Sequence, residues 1–213
     1  MNKKILVTGG GYADIPIIKT VKKLGYFVIT SGLDENGLGN LYSNFYCQAD
    51  NSDKEAILAV AKKLKVDAIC PSAAGFSAVS SSYAAEQLGF KYLDSYYSAK
   101  ILHYKDSFLK FAKENEIIVP KSESFNNINN ANKAITRFNF PLIVKSADLS
   151  GGKGISKVAN KEEAKMAILN AFDKSRTKTI VIEEFIEGSN HGFSSIIKDG
   201  KVVFYFFDNE YYY

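Results

Sequence analysis

"FPLIVKSADLSGGKGISKV", residues 140–158, sets a glycine-rich loop between two short apolar runs. The apolar runs predict two strands, and the glycines between them predict a hairpin loop. Closely spaced glycines free backbone N–H groups to turn toward an anion, and Lys153 adds positive charge beside them. Lys145 closes the first apolar run, where a buried lysine is costly unless an anion pairs with it. The stretch therefore indicates a phosphate-binding loop, although the same residues are also typical of a mobile hairpin turn.

The loop does not fit the Walker P-loop. That motif requires G-x-x-x-x-G-K followed by serine or threonine, at a strand-to-helix junction. Gly152 and Lys153 fit, but Ala147 stands where the first glycine should be and Gly154 where the hydroxyl should be. The flanking pattern is also a hairpin rather than a strand and a helix. A different phosphate-binding geometry is therefore the remaining interpretation.

The residues before this stretch alternate short apolar runs with amphipathic segments. "KKILVTG", "YFVITSG" and "VDAICPSA" predict strands, and the segments between them predict helices. This alternation is typical of β-α-β units and a parallel sheet. Residues 1–95 are therefore predicted to form a small doubly wound α/β domain, whose ligands would bind beyond the carboxyl ends of its strands.

The first turn of that domain, "TGGGYADIP" at residues 8–16, raises the alternative of a nicotinamide-dinucleotide enzyme. Gly9 and Gly11 match the first two glycines of G-x-G-x-x-G, but Asp14 occupies the third position. The second predicted strand also lacks the acidic residue at its end that would bind a ribose. We therefore favour a structural role for this turn, with substrate contact as an addition.

The second half of the chain, residues 96–213, mixes helices and strands and predicts an α+β region with antiparallel pairing. "KDGK" predicts the turn of a final hairpin. The predicted helices run from 105 to 116, from 129 to 137 and from 161 to 173.

Two glutamates lie within the predicted strand "IVIEEFIEG". Because side chains alternate between the faces of a strand, Glu183 is expected to share a face with Phe185, and Glu184 with Ile186. Paired carboxylates in a strand are also typical of a solvent-facing edge. The segment could instead line an apolar slot with one acceptor in it, as an adenine ring requires.

Composition excludes several classes of protein. The net charge of +4 comes from scattered lysines, and Arg137 and Arg176 are the only arginines, which disfavours a nucleic-acid partner. No apolar run approaches the length of an export signal or a membrane span, so no membrane partner is expected. Cys47 and Cys70 lie at no paired spacing, which disfavours a disulfide or a cysteine metal site and suits the cytoplasm.

Taken in order, four stretches resemble the ATP-grasp superfamily, especially the branch of biotin carboxylase, carbamoyl-phosphate synthase large chains and purine-pathway carboxylate-amine ligases. The resemblance covers nearly the whole chain. It implies a doubly wound parallel-sheet domain over 1–95 that precedes the ATP-grasp domain. Residues 96–213 would then be the N-terminal portion of an α+β ATP-grasp domain that is incomplete at its C-terminal end. The four stretches are "KILVTGGG", "YKDSFLKFAKENEIIVP", "FPLIVKSADLSGGKGISKV" and "IVIEEFIEG".

The resemblance also implies a set of ATP-binding residues. Two lysines contact the phosphates, and the glycine-rich loop closes over them. The first glutamate accepts from the adenine amino group, the backbone that follows pairs with the ring edge, and a histidine stands where some members bind the ribose. These residues are Lys105, Lys145, Gly151, Gly152, Lys153, Gly154, Glu183, Glu184, Ile186 and His191.

In this family ATP converts a small-molecule carboxylate to an acyl phosphate, and an amine or a thiol then displaces phosphate. Lysines and Mg²⁺ neutralise the transferred phosphoryl group. The Mg²⁺ ligands, and usually a substrate-binding arginine, are expected beyond the equivalent of Tyr213. The resemblance thus implies a ligase, but this chain alone is expected to bind ATP weakly or not at all and to turn over nothing.

The resemblance implies that the catalytic end is missing from this chain. An engineered fragment, a damaged fragment, or a site that a second chain completes would explain this. A non-catalytic nucleotide- or metabolite-binding module, or the product of a decayed gene, is the alternative to a ligase. The strand-like "VVFYFFDNEYYY" also predicts an exposed edge through which the chain associates, for example as a homodimer.

Overall fold

A computed structural model of the chain describes residues 2–211, and its N-terminal part is a four-stranded parallel sheet. The strands are β1 (Lys4–Thr8), β2 (Phe27–Gly32), β3 (Phe45–Gln48) and β4 (Ala68–Pro71), and the helices are α1 (Ile15–Lys23), α2 (Lys54–Leu64) and α3 (Gly75–Gln87). The strand order is β3-β2-β1-β4. Leu6 packs in the core with α2, while its neighbour Val7 packs on the opposite face with Ile18 of α1. Helices thus cover both faces, which confirms the predicted doubly wound domain.

The second sheet is antiparallel and belongs to the C-terminal half of the chain. Its strands are β5 (Ser122–Phe125), β6 (Leu142–Ser146), β7 (Ile155–Val158) and β8 (Ile180–Glu184), and the helices of this half are α4 (Tyr96–His103), α5 (Lys105–Glu114), α6 (Ile128–Ala134) and α7 (Lys161–Lys174). The strand order is β5-β8-β6-β7. Buried residues of β6 and β8, including Val144 and Ile182, form one core with α6 and α7. The predicted α+β region with antiparallel pairing is therefore confirmed.

The register of β6 and β8 places charged side chains on the other face of this sheet. Ile143 pairs with Glu183, and Lys145 pairs with Val181. Since alternate residues of a strand share a face, Lys145 and Glu183 are diagonal neighbours on the face turned away from α7.

Strand β8 is shorter than predicted. It ends at Glu184, so the expected continuation through Phe185 and Ile186 is wrong. The backbone N–H of Phe185 still donates to the carbonyl of Pro141 at 3.2 Å, in register with the ladder, but proline has no N–H with which to continue the pairing. Phe185 and Ile186 therefore lie outside the strand, and the expected sharing of faces with Glu183 and Glu184 does not apply.

The helix ends also differ from the sequence interpretation. Helix α5 ends at Glu114, before Glu116, because Glu116 takes a positive φ of 57° that no helix continues through. Helix α6 ends at Ala134, and a single 3₁₀ turn follows it. Helix α4, which the sequence interpretation did not include, begins at Tyr96, where the Ser95 side chain caps it. Strands β3 and β5 were missed by the sequence analysis.

A two-stranded hairpin, β9 (Asn190–Lys198) and β10 (Lys201–Glu210), forms a third sheet. Asp199 and Gly200 both have positive φ, as a tight hairpin turn requires, which confirms the predicted turn. Tyr212 and Tyr213, the end of the predicted last strand, lie outside the described residues. Within residues 2–211, none of the helices combines the length and the apolar character needed to cross a bilayer.

Candidate functional site

An ion pair lies on the face of the second sheet that is turned away from α7. The ammonium of Lys145 contacts Oε1 of Glu183, and only 19% and 11% of the two side chains are exposed. Each charge is largely withdrawn from water, so each needs the other to offset the cost of burial. The sequence argument that a lysine closing this apolar run requires an anion is therefore correct, and in this structure the anion is a carboxylate of the same sheet.

A second lysine lies near this pair. Lys105 is the first residue of α5, and its backbone N–H donates to the carbonyl of Ala147 at 2.9 Å. Its ammonium donates to the carbonyl of Leu149. Burial, and then the positive charge of Lys145, lower the pKa of Lys105, while Asp148 and Glu183 partly oppose this shift. An ammonium that is partly withdrawn from water and lies beside a second lysine is one that an anion would stabilise.

The glycine-rich loop between β6 and β7, residues 147–154, is fixed at both ends. At its start, the buried carboxylate of Asp148 accepts from Oγ of Ser175 at 2.9 Å and from the backbone N–H groups of Arg176 at 2.8 Å and Thr177 at 3.0 Å. At its end, Ser146 donates its N–H to the carbonyl of Gly154 at 3.0 Å. The residues between these anchors, 150–153, are exposed, so this tip can move while its base is held.

The three loop glycines are not equivalent. All have φ between 66° and 75°, but a Cβ on Gly152 would meet nothing within 4 Å, whereas a Cβ on Gly154 would lie 2.4 Å from Oγ of Ser146. We expect Gly152→Ala to cost about 1 kcal/mol through backbone strain alone, and Gly154→Ala to cost about 2–3 kcal/mol because it adds a steric clash. Urea unfolding would measure both. Ser146→Ala alone should cost about 1 kcal/mol through its lost hydrogen bond to Ala171, and its cost and that of Gly154→Ala should be less than additive in the double variant. Equal costs at the two glycines would contradict the geometry.

The remaining residues of the implied ATP set are arranged differently from the lysines. Glu184 pairs with the neighbouring segment, donating its N–H to the carbonyl of Lys121 and accepting the N–H of Lys121 on Oε1, both at 3.0 Å. Ile186 is 59% exposed, just after the end of β8. His191 lies on β9, where its ring nitrogens bond to Asn209 at 2.8 Å and to Ser189 at 2.6 Å. The bonds of His191 thus stay within the hairpin and the residue that precedes it, and they do not connect it to the lysines.

Three residues beside the site were not singled out from the sequence. Asp148, inside the quoted stretch, holds the base of the loop, and an acidic residue directly after a buried strand was the available signal. His103 precedes Lys105 by two residues, and burial, followed by the charge of Lys105, lowers the pKa of its imidazole. Arg176 reaches the N-terminal domain, which nothing in its local sequence indicated.

The site residues do not by themselves form a metal centre. Across residues 2–211, no group of three or more His, Cys, Asp or Glu side chains is arranged to hold a metal ion. The described residues therefore do not supply the Mg²⁺ site that the resemblance implies.

A profile of the family described as "Phosphoribosylglycinamide synthetase, ATP-grasp (A) domain" matches residues 104–211, half of the chain. The chain belongs to the ATP-grasp family. The match begins beside Lys105 and takes in the ion pair, the glycine-rich loop and the hairpin. The expected ATP-grasp membership is thus confirmed.

Two relatives that cover most of this chain agree with this membership. The large chain of carbamoyl phosphate synthase from Campylobacter jejuni is 28% identical over 92% of this chain, which spans 20% of that protein. The formate-dependent phosphoribosylglycinamide formyltransferase of Prochlorococcus marinus is 28% identical over 86% of this chain, which spans 48% of that protein. This chain thus spans about half or less of the length of these relatives.

A solved ATP-grasp structure has the same fold. The N5-carboxyaminoimidazole synthetase of Staphylococcus aureus, complexed with ADP, superposes with a TM-score of 0.77 at 19% identity, over 100% of this chain and 57% of that one. This likeness shows the architecture, in which an ATP-grasp sheet follows a parallel α/β domain.

Proposed function

We propose that residues 96–213 form the nucleotide-binding part of an ATP-dependent carboxylate-amine ligase, or of a ligase that uses a thiol, and that residues 1–95 form the domain that precedes it. The observation that carries the proposal is the meeting of Lys105, Lys145 and the glycine-rich loop at one partly buried site. The two cysteines are unpaired, which suits a reaction in the cytoplasm. ATP, a carboxylate and an amine are the small molecules this reaction takes.

The proposed chemistry has two steps. A carboxylate oxygen of the substrate attacks the γ-phosphorus of ATP, the bond to the β-phosphate oxygen breaks, and ADP leaves. The amine then attacks the acyl carbon of the acyl phosphate and expels inorganic phosphate. Charge accumulates on the transferred phosphoryl group and on ADP, so the protein contributes mainly by positioning and by neutralising negative charge.

We assign the parts of this site as follows. Lys105 and Lys145 bind the phosphates, and Lys153 and the loop glycines cover them. Glu183 accepts a hydrogen bond from the adenine amino group, and the backbone of Glu184 and Ile186 pairs with the edge of the ring. His191 contacts the ribose once the hairpin moves toward the bound nucleotide. Because Glu183 and Leu149 already hold the two phosphate lysines, ATP has to compete with internal partners. We therefore expect these residues alone to bind ATP weakly and not to turn it over.

Binding should be linked to the proton of Lys105. Its pKa is lowered in the free protein, so part of the population is neutral at alkaline pH. A triphosphate favours the charged ammonium and raises that pKa, so binding takes up protons and the affinity falls as the pH rises through the lowered pKa.

Calorimetry of ATP binding at alkaline pH, in two buffers with different ionisation enthalpies, would measure this uptake. We expect a buffer-dependent enthalpy that Lys105→Gln removes. Lys110→Gln, on the same helix but exposed and paired with Glu114, should leave it unchanged. A wild-type enthalpy that does not depend on the buffer would count against the assignment of Lys105.

We also propose that the chain associates through the β9–β10 hairpin. Every residue of the hairpin except Gly192 is exposed, and large apolar side chains project from both of its faces. Surfaces of this kind are typical of protein–protein contacts, and unpaired strand edges readily recruit another strand. A second copy of the chain is the partner we propose.

A further inference from the structure

A cleft separates the N-terminal domain from the glycine-rich loop, and it does not include Lys145 or Glu183. Its volume is about 420 Å³. One wall comes from the N-terminal domain, with Ser52 before α2 and Phe76 in the first turn of α3. The other wall comes from the loop and from the segment between α7 and β8, including Lys153 and Arg176. The cleft is large enough for a small metabolite and reaches residues that the ATP site does not use.

Arg176 is fixed across this cleft. Its backbone N–H donates to Asp148, its Nη1 donates to Oγ of Ser52 at 2.5 Å, and its guanidinium carbon lies 5.4 Å from the centre of the Phe76 ring. A guanidinium has five N–H donors, and the bond to Ser52 occupies one of them. Among residues 2–211 the guanidinium forms no ion pair. It is thus an oriented cation with donors to spare.

Two carboxylates lie near the cleft, and each is held in place by hydrogen bonds from neutral groups. Asp148 accepts three hydrogen bonds at the base of the loop. Asp50 accepts from Oγ of Ser52 at 2.7 Å and from its N–H at 2.8 Å. In the part of the chain that the structure describes, Lys153 has no ion-pair partner. The two carboxylates match the two cations in number, so an oxyanion is favoured by the spare donors of Arg176 rather than by an excess of positive charge.

The cleft is not purely polar. Phe76, Val79 and Leu149 give it an apolar wall beside the cations. A site that combines an apolar wall with a few oriented polar groups is typical of small-molecule binding. Arginine suits a planar or tetrahedral oxyanion, because its donors can bind two oxygens at once.

We propose that this cleft binds an oxyanion, a phosphate monoester or a carboxylate, carried on a small molecule that is partly apolar. Arg176 is its main contact and Lys153 its second. The apolar part of the ligand lies against Phe76 and Val79. This site shares Lys153 with the proposed ATP site but does not include Lys105, Lys145 or Glu183, and its occupancy does not require ATP.

Titration calorimetry with phenyl phosphate and with benzoate tests the proposal. We expect saturable binding of at least one, with the preferred anion identifying the head group. Arg176→Gln should weaken that binding at least tenfold. Lys174→Gln removes the same charge two residues away, from a side chain that does not line the cleft, and should leave the affinity unchanged. No saturable binding of either anion, or equal affinity in Arg176→Gln and the wild type, would overturn the proposal.

A second measurement covers the case in which Arg176→Gln does not fold. In the wild-type protein, the preferred anion should shift the amide resonances of Ser52 and Thr177, which line the cleft. Shifts confined to residues outside the cleft would overturn the proposal. Lys145→Met should retain this binding while losing ATP, so failure of the ATP site and failure of the cleft are distinguishable.

Discussion

Lys145→Met is expected to destabilise the protein by about 3 kcal/mol and to abolish its binding of ATP. The large cost arises because the variant leaves the carboxylate of Glu183 buried without its cation, with 11% of its side chain exposed. Binding is lost because the same ammonium is the proposed phosphate contact. Urea unfolding would measure the free energy, and the shift of the melting temperature on adding ATP would report binding.

The double variant Lys145→Met with Glu183→Leu separates the two effects. Apolar residues of similar size often replace a buried ion pair without loss of stability, so most of the lost free energy should return while ATP binding does not. Lys165→Met is the matched control, because it breaks an exposed pair with Glu162 and should cost only about a few tenths of a kcal/mol. Equal costs for Lys145→Met and Lys165→Met would contradict the account of the pair, and ATP binding by the double variant would contradict the role of Lys145.

Phe207→Ser is expected to weaken self-association of the protein by at least tenfold, a change of about 1.4 kcal/mol. Phe207 is 71% exposed on the hairpin and packs against Phe193 and Tyr205, with ring centres 5.0 and 5.9 Å away. This aromatic cluster is the apolar surface that we propose a second copy covers. Sedimentation over a range of concentrations would give the association constant.

Ile118→Ser is the control for that experiment. Ile118 is 99% exposed and lies between α5 and β5, outside the hairpin, so its substitution removes apolar surface without touching the proposed contact. We expect its association constant to equal that of the wild type. A wild-type protein that stays monomeric at high concentration, or equal weakening by both substitutions, would contradict association through the hairpin.

Local pattern was sufficient to predict much of this fold. The alternation of apolar runs and amphipathic segments predicted the parallel sheet, and glycines between two apolar runs predicted the loop after Lys145. Both signals are short-range, because they depend on side-chain periodicity and on backbone conformations that glycine alone adopts readily. The end of β8 at Glu184 was not predictable in this way, since long-range pairing brings Pro141 opposite Phe185, and proline has no N–H to continue the ladder.

The residues of the site could be predicted from the sequence, but their arrangement in space could not. The sequence indicated Lys145 and Glu183 separately, and only the register of β6 against β8 makes them diagonal neighbours. That register depends on long-range packing. The contact of Arg176 with Ser52 joins residues 124 positions apart, so no local pattern could have revealed it.

The central claim, that this chain binds ATP between its two lysines and its glycine-rich loop, is tested most directly by mapping amide resonances during a titration with ATP. We expect shifts at Lys105, Lys145, Glu183 and the loop tip, at residues 150–153. The competing dinucleotide interpretation places them instead at the first turn, residues 8–16. Shifts at that turn with none at the loop, or no shifts at saturating ATP, would contradict the claim.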